Sequence, residues 1–266
     1  MKIYLATTTI DDVIIENAKR ILCSYFYFGK KIMLLKKIVK NGIDLFMDSG
    51  AFSAYNSNVN INLNYYSLYL KSLNIKNYAA LDVIGNPEKS YNNSFIMKQQ
   101  GLIPIPAFHI GEELKYLIQI IKEYDYIALG GMVMAGNIEN WLDGVFKIIL
   151  EKKPSLKVHG FGLTDQILVE KYPWYSIDSS SFDRAQRFGI VTLIDYKNKI
   201  YTIHLNEWRE EQLKKGISKK LLNDNKYIRD ETVKIGINTF LQYEKYITEL
   251  QKTKDFSYLT AQKTLF

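Results

Sequence analysis

The segment YIALGGMVMAGNIENWLDGVFKIILEKK (126–153) contains the unit on which the fold prediction depends. It begins with an apolar run, YIALGGMV (126–133), and continues with IENWLDGVFKIILEKK (138–153), whose apolar residues recur at helical spacing between charged ones. A run that is apolar on both faces is typical of a parallel strand covered by helices. The segment therefore predicts a strand followed by an amphipathic helix.

The same unit recurs along most of the chain. Similar runs are IYLATTT (3–9), LFMDSGAF (45–52), YAALDVIG (78–85), IPIPAFHI (103–110), KVHGFGLT (157–164) and YSIDSSSF (175–182), with an eighth at IVTLID (190–195) or IYTIHL (200–205). About eight alternations of strand and helix in roughly 200 residues predict an α/β fold of the (β/α)8 TIM-barrel class. A doubly wound open sheet is the alternative, but the first strand lacks the GxGxxG turn typical of that fold.

The stretch after residue 205 is polar and helical in pattern. We therefore expect residues 1–205 to form a catalytic barrel and residues 206–266 to form a C-terminal helical segment that packs on it. No run approaches the 18 apolar residues of a membrane span, and the first residues do not have the pattern of a signal peptide. The expectation is a soluble, cytoplasmic protein with no membrane partner.

The composition and charge of the chain exclude several classes of protein and of metal site. The chain of 266 residues has 47% hydrophobic and 24% charged residues, which excludes disordered and collagen-like proteins. Its single cysteine, Cys23, excludes an internal disulfide and a multi-cysteine zinc site; we place it on a helix, as a buried packing residue. A net charge of +7 is compatible with nucleic-acid binding without requiring it.

Polar residues and glycines end several of the predicted strands, where barrel active sites form. In the order of the second to seventh predicted strands they are Asp48, Asp82, His109, Gly130–Gly131, His159–Gly160 and Asp178. An aspartate before serine or glycine is often only a turn residue. Three aspartates at equivalent strand ends are less easily explained in that way, because buried acids are costly unless they are paired or functional.

The residues alone leave three function classes open. The first is an enzyme that uses the strand-end carboxylates directly. The second is a metal-dependent barrel hydrolase with His109, His159 and His204 as ligands beside an aspartate, although no HxH pair follows the first strand. The third is a barrel without catalytic activity that binds nucleic acid or a partner protein, against which the three acids argue because acids repel phosphate.

The order DSGAF, LDVIG, FHIG, ALGGM, HGFG, IDSSSF, within residues 45–190, resembles the tRNA-guanine transglycosylase superfamily. It is most similar to the DpdA-like branch, the phage and bacterial DNA 7-deazaguanine transglycosylases. The resemblance implies exchange of guanine in DNA for a free 7-deazaguanine base similar to preQ0, through a covalent aspartyl–C1′ intermediate and without a cofactor or catalytic metal. It also implies a location in the cytoplasm, that of the host if the protein is phage-encoded.

The resemblance assigns roles by motif. Asp178 of IDSSSF matches the nucleophile, and Asp48 of DSGAF matches the general acid/base. The residues that match the base pocket are Ser49, Phe52 (stacking on the base), Asp82 (reading the amidine edge), His109, Gly130, Gly131 (a backbone donor), His159 and Gly160. Arg184 and Arg187, six and nine residues after Asp178, match arginines that bind the nucleic-acid backbone.

Departures from the superfamily pattern bear on the substrate. His109 stands where tRNA enzymes have a glutamine, and His159 where they have a methionine under the base. With one cysteine, the chain cannot form the superfamily's zinc-binding subdomain, which engages tRNA. We therefore favour DNA, keep a tRNA-directed transglycosylase as the alternative, and expect that a homo-oligomer or partner protein could contribute.

Overall fold

The computed structural model describes residues 1–132, 136 and 138–261, and its architecture is an eight-stranded parallel ring surrounded by helices. The strands of the ring are β1 (Lys2–Thr7), β2 (Arg20–Ser24), β3 (Asp44–Asp48), β4 (Asn77–Tyr78), β5 (Ala107–His109), β6 (Tyr126–Gly130), β7 (Lys157–Gly160) and β8 (Ser176–Ser179). The last residue of the predicted run 126–133 lies outside the described residues.

Helices alternate with these strands and then follow them. In chain order they are α1 (Asp12–Asn17), α2 (Tyr25–Phe28), α3 (Ile32–Lys40), α4 (Ala51–Asn56), α5 (Leu63–Leu73), α6 (Pro87–Gln99), α7 (Leu114–Glu123), α8 (Glu139–Lys152), α9 (Gln166–Lys171), α10 (Ala185–Phe188), α11 (Leu205–Lys214), α12 (Lys219–Leu222), α13 (Asn225–Thr253) and α14 (Tyr258–Ala261). No helix in the described ranges is long and apolar enough to cross a membrane.

The strand order around the sheet is β4-β3-β2-β1-β8-β7-β6-β5, with every pair parallel. A parallel bridge between Ala79 and Ile105 joins the two ends of this order. Hydrogen bonds from Ile105 N–H to the carbonyl of Tyr78 (2.9 Å) and from Ala80 N–H to the carbonyl of Ile105 (2.8 Å) support it. The predicted (β/α)8 TIM-like fold is therefore confirmed.

The second strand of the barrel is one that the sequence analysis missed. Residues 20–24 (RILCS) pair with β1 on one side and β3 on the other, and Cys23 lies on this strand rather than on a helix. Its thiol is buried, as expected. The run was missed because three apolar residues between Arg20 and Ser24 are too few to show a period. Each strand-end residue from Asp48 to Asp178 consequently belongs one strand later than predicted, on or after the third to eighth strands.

The prediction for the eighth strand was also wrong. Residues 190–195 and 200–205 contain the two strands of an antiparallel hairpin, β9 (Ile190–Ile194) and β10 (Ile200–His204), which pair only with each other. The carboxylate of Asp195 closes the turn by accepting from the N–H groups of Lys197 (2.8 Å) and Lys199 (2.9 Å). Asn198 adopts a left-handed conformation there (φ +63°).

The barrel interior is built in layers because side chains alternate between inside and outside along each strand. One interior cluster contains Tyr4, Leu22, Phe46, Ala79, Ile105 and Ala128. Asp48 and Asp178, each two residues beyond an inward-facing position on its strand, therefore project into the mouth of the barrel. The alternation thus places these strand-end carboxyl groups at the mouth, above the interior cluster.

The long helix α13 lies outside the ring and packs on β1, β9 and α1. An ion pair anchors it: Arg20 Nη1 lies 2.5 Å from Glu244 Oε1, and Glu244 Oε2 also accepts from the N–H of Ile3 at 2.7 Å. Gly236 allows close approach, because a Cβ there would stand 2.1 Å from the carbonyl oxygen of Phe182. Helix α13 thereby supports the segment that follows β8.

Candidate active site

The three strand-end aspartates form one electrostatic cluster at the carboxyl ends of the barrel strands. Asp48 is the last residue of β3, Asp178 is the third residue of β8, and Asp82 follows β4. The charges of both Asp82 and Asp178 act on the carboxyl group of Asp48. The structure thus brings together the three acids that the sequence analysis singled out.

Asp48 occupies a turn that the sequence DSGAF is suited to form. Gly50 adopts a left-handed conformation (φ +76°), and its N–H donates to Asp48 Oδ2 at 3.1 Å. Burial, followed by the charges of Asp82 and Asp178, raises the pKa of Asp48 to about 7, against the opposing effects of Gly50 N–H and the Ser24 hydroxyl. This carboxyl group is therefore divided between its acid and its base form near neutral pH, which suits proton transfer in both directions.

Asp82 forms the second part of the site together with His109. Burial raises the pKa of Asp82 to about 6, although the nearby His109 opposes this. His109 Nε2 lies 3.7 Å from Asp82 Oδ2, and its Nδ1 lies 3.2 Å from Glu112 Oε1. Burial acts to lower the pKa of His109, but the hydrogen bond to Glu112 and the charges of Asp82 and Glu112 outweigh it, so the pKa is raised. The imidazole lies between two carboxylates that favour its charged form.

Asp178 is held by two contacts on the same oxygen. Its Oδ1 accepts from the N–H of Gly162 at 2.9 Å and lies 3.3 Å from His159 Nε2. No described residue hydrogen-bonds to its Oδ2. One oxygen of this carboxylate is therefore held by the protein, and the other has no hydrogen-bond partner among the described residues.

His159 lies inside the barrel beneath Asp178 and is 0% exposed. Its ring stacks on Phe46, with centroids 4.6 Å apart, and meets the edge of Phe161 at 4.7 Å. Its Nδ1 lies 2.6 Å from the Ser176 hydroxyl. The imidazole is thus fully enclosed, and its polar contacts are with Ser176 and Asp178.

The predicted pocket glycines have different surroundings. A Cβ on Gly130 would stand 2.6 Å from His109 Cδ2, so the absence of a side chain there makes room for the imidazole. Gly131 has a left-handed conformation (φ +78°) and is exposed. A Cβ on Gly160 would stand 3.1 Å from Trp174 Cζ3, so the absence of a side chain at Gly160 lets the Trp174 ring pack closely.

The remaining residues predicted for the base pocket follow Asp48. Ser49 is buried, and its hydroxyl accepts from Ala51 N–H at 3.4 Å, so it supports the turn. Phe52 lies on the short helix α4 and is 55% exposed. A large exposed aromatic ring close in sequence to Asp48 has a face available for stacking.

Arg184 directly precedes α10, which follows the segment after β8, and Arg187 lies within this helix. Their guanidinium groups lie 5.8 and 5.4 Å from the centre of the Phe188 ring, and that ring is 59% exposed. Neither arginine forms an ion pair within the part of the chain that the structure describes. Two cations and an aromatic face thus share a surface near the end of the strand that carries Asp178.

The histidines do not assemble as the metal-hydrolase alternative requires. His204 ends β10 in the hairpin outside the ring, whereas His109 and His159 belong to β5 and β7. Within the described ranges, no group of three or more histidine, cysteine, aspartate or glutamate residues is placed to hold a metal ion. The donor set on which that alternative was based is therefore not brought together.

Sequence reasoning missed four residues around the site. Glu112 lies three residues after His109 in FHIGEE, so its spacing was available as a signal. Ser24 belongs to the missed strand β2 and acts on Asp48. Ser176 begins β8 and Tyr126 begins β6, and their hydroxyl oxygens lie 2.5 Å apart. No local sequence pattern predicts this contact.

Comparisons with known proteins add little to this geometry. No protein-family model and no curated protein matches the chain. A solved 4-hydroxy-2-oxoglutarate aldolase/2-deydro-3-deoxyphosphogluconate aldolase from TTHB1 is similar at 11% identity and TM-score 0.43, over 90% of this chain and 92% of that one. A glycerol uptake operon antiterminator-related protein from Thermotoga maritima MSB8 is similar at 16% identity and TM-score 0.38, over 68% of this chain and 95% of that one. Similarities at this level carry no argument about activity.

Proposed function

We propose that the protein is an enzyme, a pentosyltransferase that exchanges guanine in DNA for a free 7-deazaguanine base similar to preQ0. The observation that supports this most directly is the arrangement of Asp48 and Asp178 at one barrel mouth. Asp178 has one oxygen held by Gly162 N–H and no hydrogen bond from a described residue to the other, while burial and the charges of Asp82 and Asp178 raise the pKa of Asp48 to about 7. A nucleophilic carboxylate beside a second carboxyl group that transfers protons is the arrangement by which covalent glycosyl transfer proceeds.

The first half-reaction uses each carboxyl group once. Asp178 Oδ2 forms a bond to C1′ of the target nucleotide while the bond from C1′ to N9 of guanine breaks and its electron pair leaves with the base. Protonated Asp48 gives its proton to the departing guanine and becomes a carboxylate. The products are free guanine and an ester between Asp178 and C1′.

The second half-reaction reverses these steps with the new base. Asp48, now a carboxylate, takes the N9 proton of the 7-deazaguanine, and N9 attacks C1′. The ester bond to Asp178 breaks, and Asp178 recovers its carboxylate. Asp48 finishes with the proton that it had at the start, so the cycle needs no cofactor.

Recognition of the base falls to Asp82 and His109. Above its pKa of about 6, the Asp82 carboxylate can accept from two N–H groups of a guanine edge. Beside it, the pKa of His109 is raised in spite of burial by its hydrogen bond to Glu112 and by the charges of Asp82 and Glu112, which favours the protonated ring that can donate to a carbonyl oxygen. The pocket of an enzyme that exchanges bases needs both a hydrogen-bond acceptor and a donor, because guanine and its 7-deaza analogues present donors and acceptors side by side.

The surroundings of the site fit a nucleic-acid strand. A guanine must leave the base stack before its C1′ and its edge reach a recessed carboxylate. Exposed Phe52 offers a stacking face, and Arg184 and Arg187 offer guanidinium groups for phosphates.

The test follows a radiolabelled 7-deazaguanine base into polymer. Purified protein is incubated with the label and either guanine-containing DNA or unmodified tRNA, and Asp178→Asn is compared with Asp125→Asn. Asp125 is an exposed aspartate just before β6, at the opposite end of the barrel. We expect incorporation into DNA by the unmodified protein and by Asp125→Asn, and none by Asp178→Asn.

The other outcomes are equally informative. Incorporation into tRNA alone would keep the chemistry and replace the proposed polymer. Turnover by Asp178→Asn would remove Asp178 from the role of nucleophile. Absence of incorporation into either polymer by the unmodified protein would refute base exchange.

A further inference from the structure

A chain of four polar groups runs through the barrel interior to Asp178. The phenol oxygen of Tyr126 lies 2.5 Å from the hydroxyl of Ser176, which lies 2.6 Å from His159 Nδ1. His159 Nε2 in turn lies 3.3 Å from Asp178 Oδ1. Ser176 and His159 are both 0% exposed, so these contacts are made without water access to either side chain.

The protons in this chain can be assigned from Asp178 inward. Gly162 N–H can only donate, so Asp178 Oδ1 acts as an acceptor in their 2.9 Å hydrogen bond. While Asp178 is ionised its oxygens can only accept, so His159 Nε2, which approaches the same oxygen, then carries a proton. In a neutral ring Nδ1 is then an acceptor, and the Ser176 hydroxyl donates to it. Tyr126 completes the series by donating to Ser176, and burial raises the pKa of Tyr126 so that the phenol keeps its proton.

The same three residue types occur in hydrolytic Ser–His–Asp triads, but the arrangement here is different. A triad serine must reach a substrate. Ser176 begins β8, is fully buried, and already contacts Tyr126 on one side and His159 on the other. It has no surface from which to attack, and Asp178, at the mouth of the barrel, is the member of the chain placed for chemistry.

We propose that Tyr126, Ser176 and His159 are positioning residues that fix one tautomer of His159 and thereby the orientation of Asp178. The chain holds the imidazole with its proton on Nε2. That proton and Gly162 N–H retain Oδ1 of the carboxylate and leave Oδ2 for bond formation. Only the kinetic consequence of this inference rests on the proposed function.

A purely packing role for His159 is the competing explanation, because the ring lies between Phe46 and Phe161. Packing requires a flat ring of this size but no particular tautomer. The position of the proton therefore separates the two explanations, and it can be measured without any substrate.

The experiment uses the full chain labelled with 15N-histidine, which contains three histidines. Long-range 15N–1H correlation spectra report which ring nitrogen carries the proton, and His109→Gln and His204→Gln remove the other two signals for assignment. We expect a neutral His159 ring with its proton on Nε2. In Ser176→Ala the Nδ1 resonance should shift as its donor is lost, and Tyr126→Phe should shift it less.

Three results would overturn the inference: a proton on Nδ1 alone, a doubly protonated ring, or an Nδ1 resonance unchanged in Ser176→Ala. If Ser176→Ala fails to fold, Tyr126→Phe decides, since it removes one hydroxyl from a nearly isosteric side chain. An unchanged Nδ1 resonance in that variant would then reject the chain.

Kinetics give the second measurement. If the unmodified protein exchanges bases, Ser176→Ala should lower kcat about ten- to a hundredfold with little change in KM, because a misdirected nucleophile affects the transition state rather than binding. An unchanged kcat would overturn the positioning role. Absence of exchange by the unmodified protein would refute the proposed function alone, because the spectra still decide the tautomer.

Discussion

Replacing Asp48 with asparagine should change how the stability of the protein depends on pH. The substitution keeps the size of the side chain and an oxygen that can accept from Gly50 N–H, but it removes the titrating group. In the folded protein, burial and then the charges of Asp82 and Asp178 raise the pKa of this carboxyl group from 3.8 to about 7. The unfolded chain has neither effect.

The sign of the effect comes from proton binding. Between pH 4 and pH 7 the folded state holds the Asp48 proton more tightly than the unfolded chain, so stability falls as the pH rises through this range. The contribution is complete below the unfolded pKa and is lost as the pH rises through the folded pKa. At about 1.4 kcal/mol per pKa unit, the part lost between pH 5 and pH 8 is about 2–3 kcal/mol.

Urea unfolding at pH 5 and pH 8 measures this quantity. The free energy of unfolding of Asp48→Asn, relative to the unmodified protein, should rise by about 2–3 kcal/mol from the lower pH to the higher. Asp12→Asn serves as the control, because that carboxylate is 87% exposed and is not subject to burial. A relative stability of Asp48→Asn that is the same at both pH values would refute the assignment of Asp48 as a buried acid.

Two further predictions concern packing and the polymer. Gly236→Ala should lower the free energy of unfolding by about 1–3 kcal/mol, because its Cβ would stand 2.1 Å from the carbonyl oxygen of Phe182. Thermal or urea denaturation measures this. An unchanged denaturation midpoint would show that α13 shifts without cost. Arg184→Gln and Arg187→Gln should each reduce the slope of log Kd for duplex DNA against log salt concentration by about one. Lys40→Gln, near the start of β3, is the control and should leave this slope unchanged. Equal slopes in all three variants would exclude a specific role for the arginines.

The fold was largely predictable because its main signal is local. A strand covered by helices is apolar at nearly every position, and seven of the eight assigned runs contain or overlap ring strands. The signal failed at residues 20–24, where the strand is too short to show a pattern. It failed again at residues 190–205, where the apolar strands of a hairpin resemble a barrel strand although they pair with each other.

The acids of the site were predictable for a similar reason. A polar residue that ends an apolar run is visible in the sequence, and parallel strands bring such ends to one face. Glu112 could have been found from its spacing to His109. The part played by Ser24 could not, because it depends on recognising β2 first.

The sequence by itself determined the repeating strand–helix unit, the barrel class and the aspartates at the strand ends, since each depends on the order of neighbouring residues. Only the tertiary structure decided which groups meet. The raised pKa of Asp48 arises from burial and then from the charges of Asp82 and Asp178, and Asp178 is held by contacts with His159 and Gly162. Burial, Coulomb interactions and hydrogen bonds act through distances across the ring, and ring closure sets those distances between strands that are far apart in the chain.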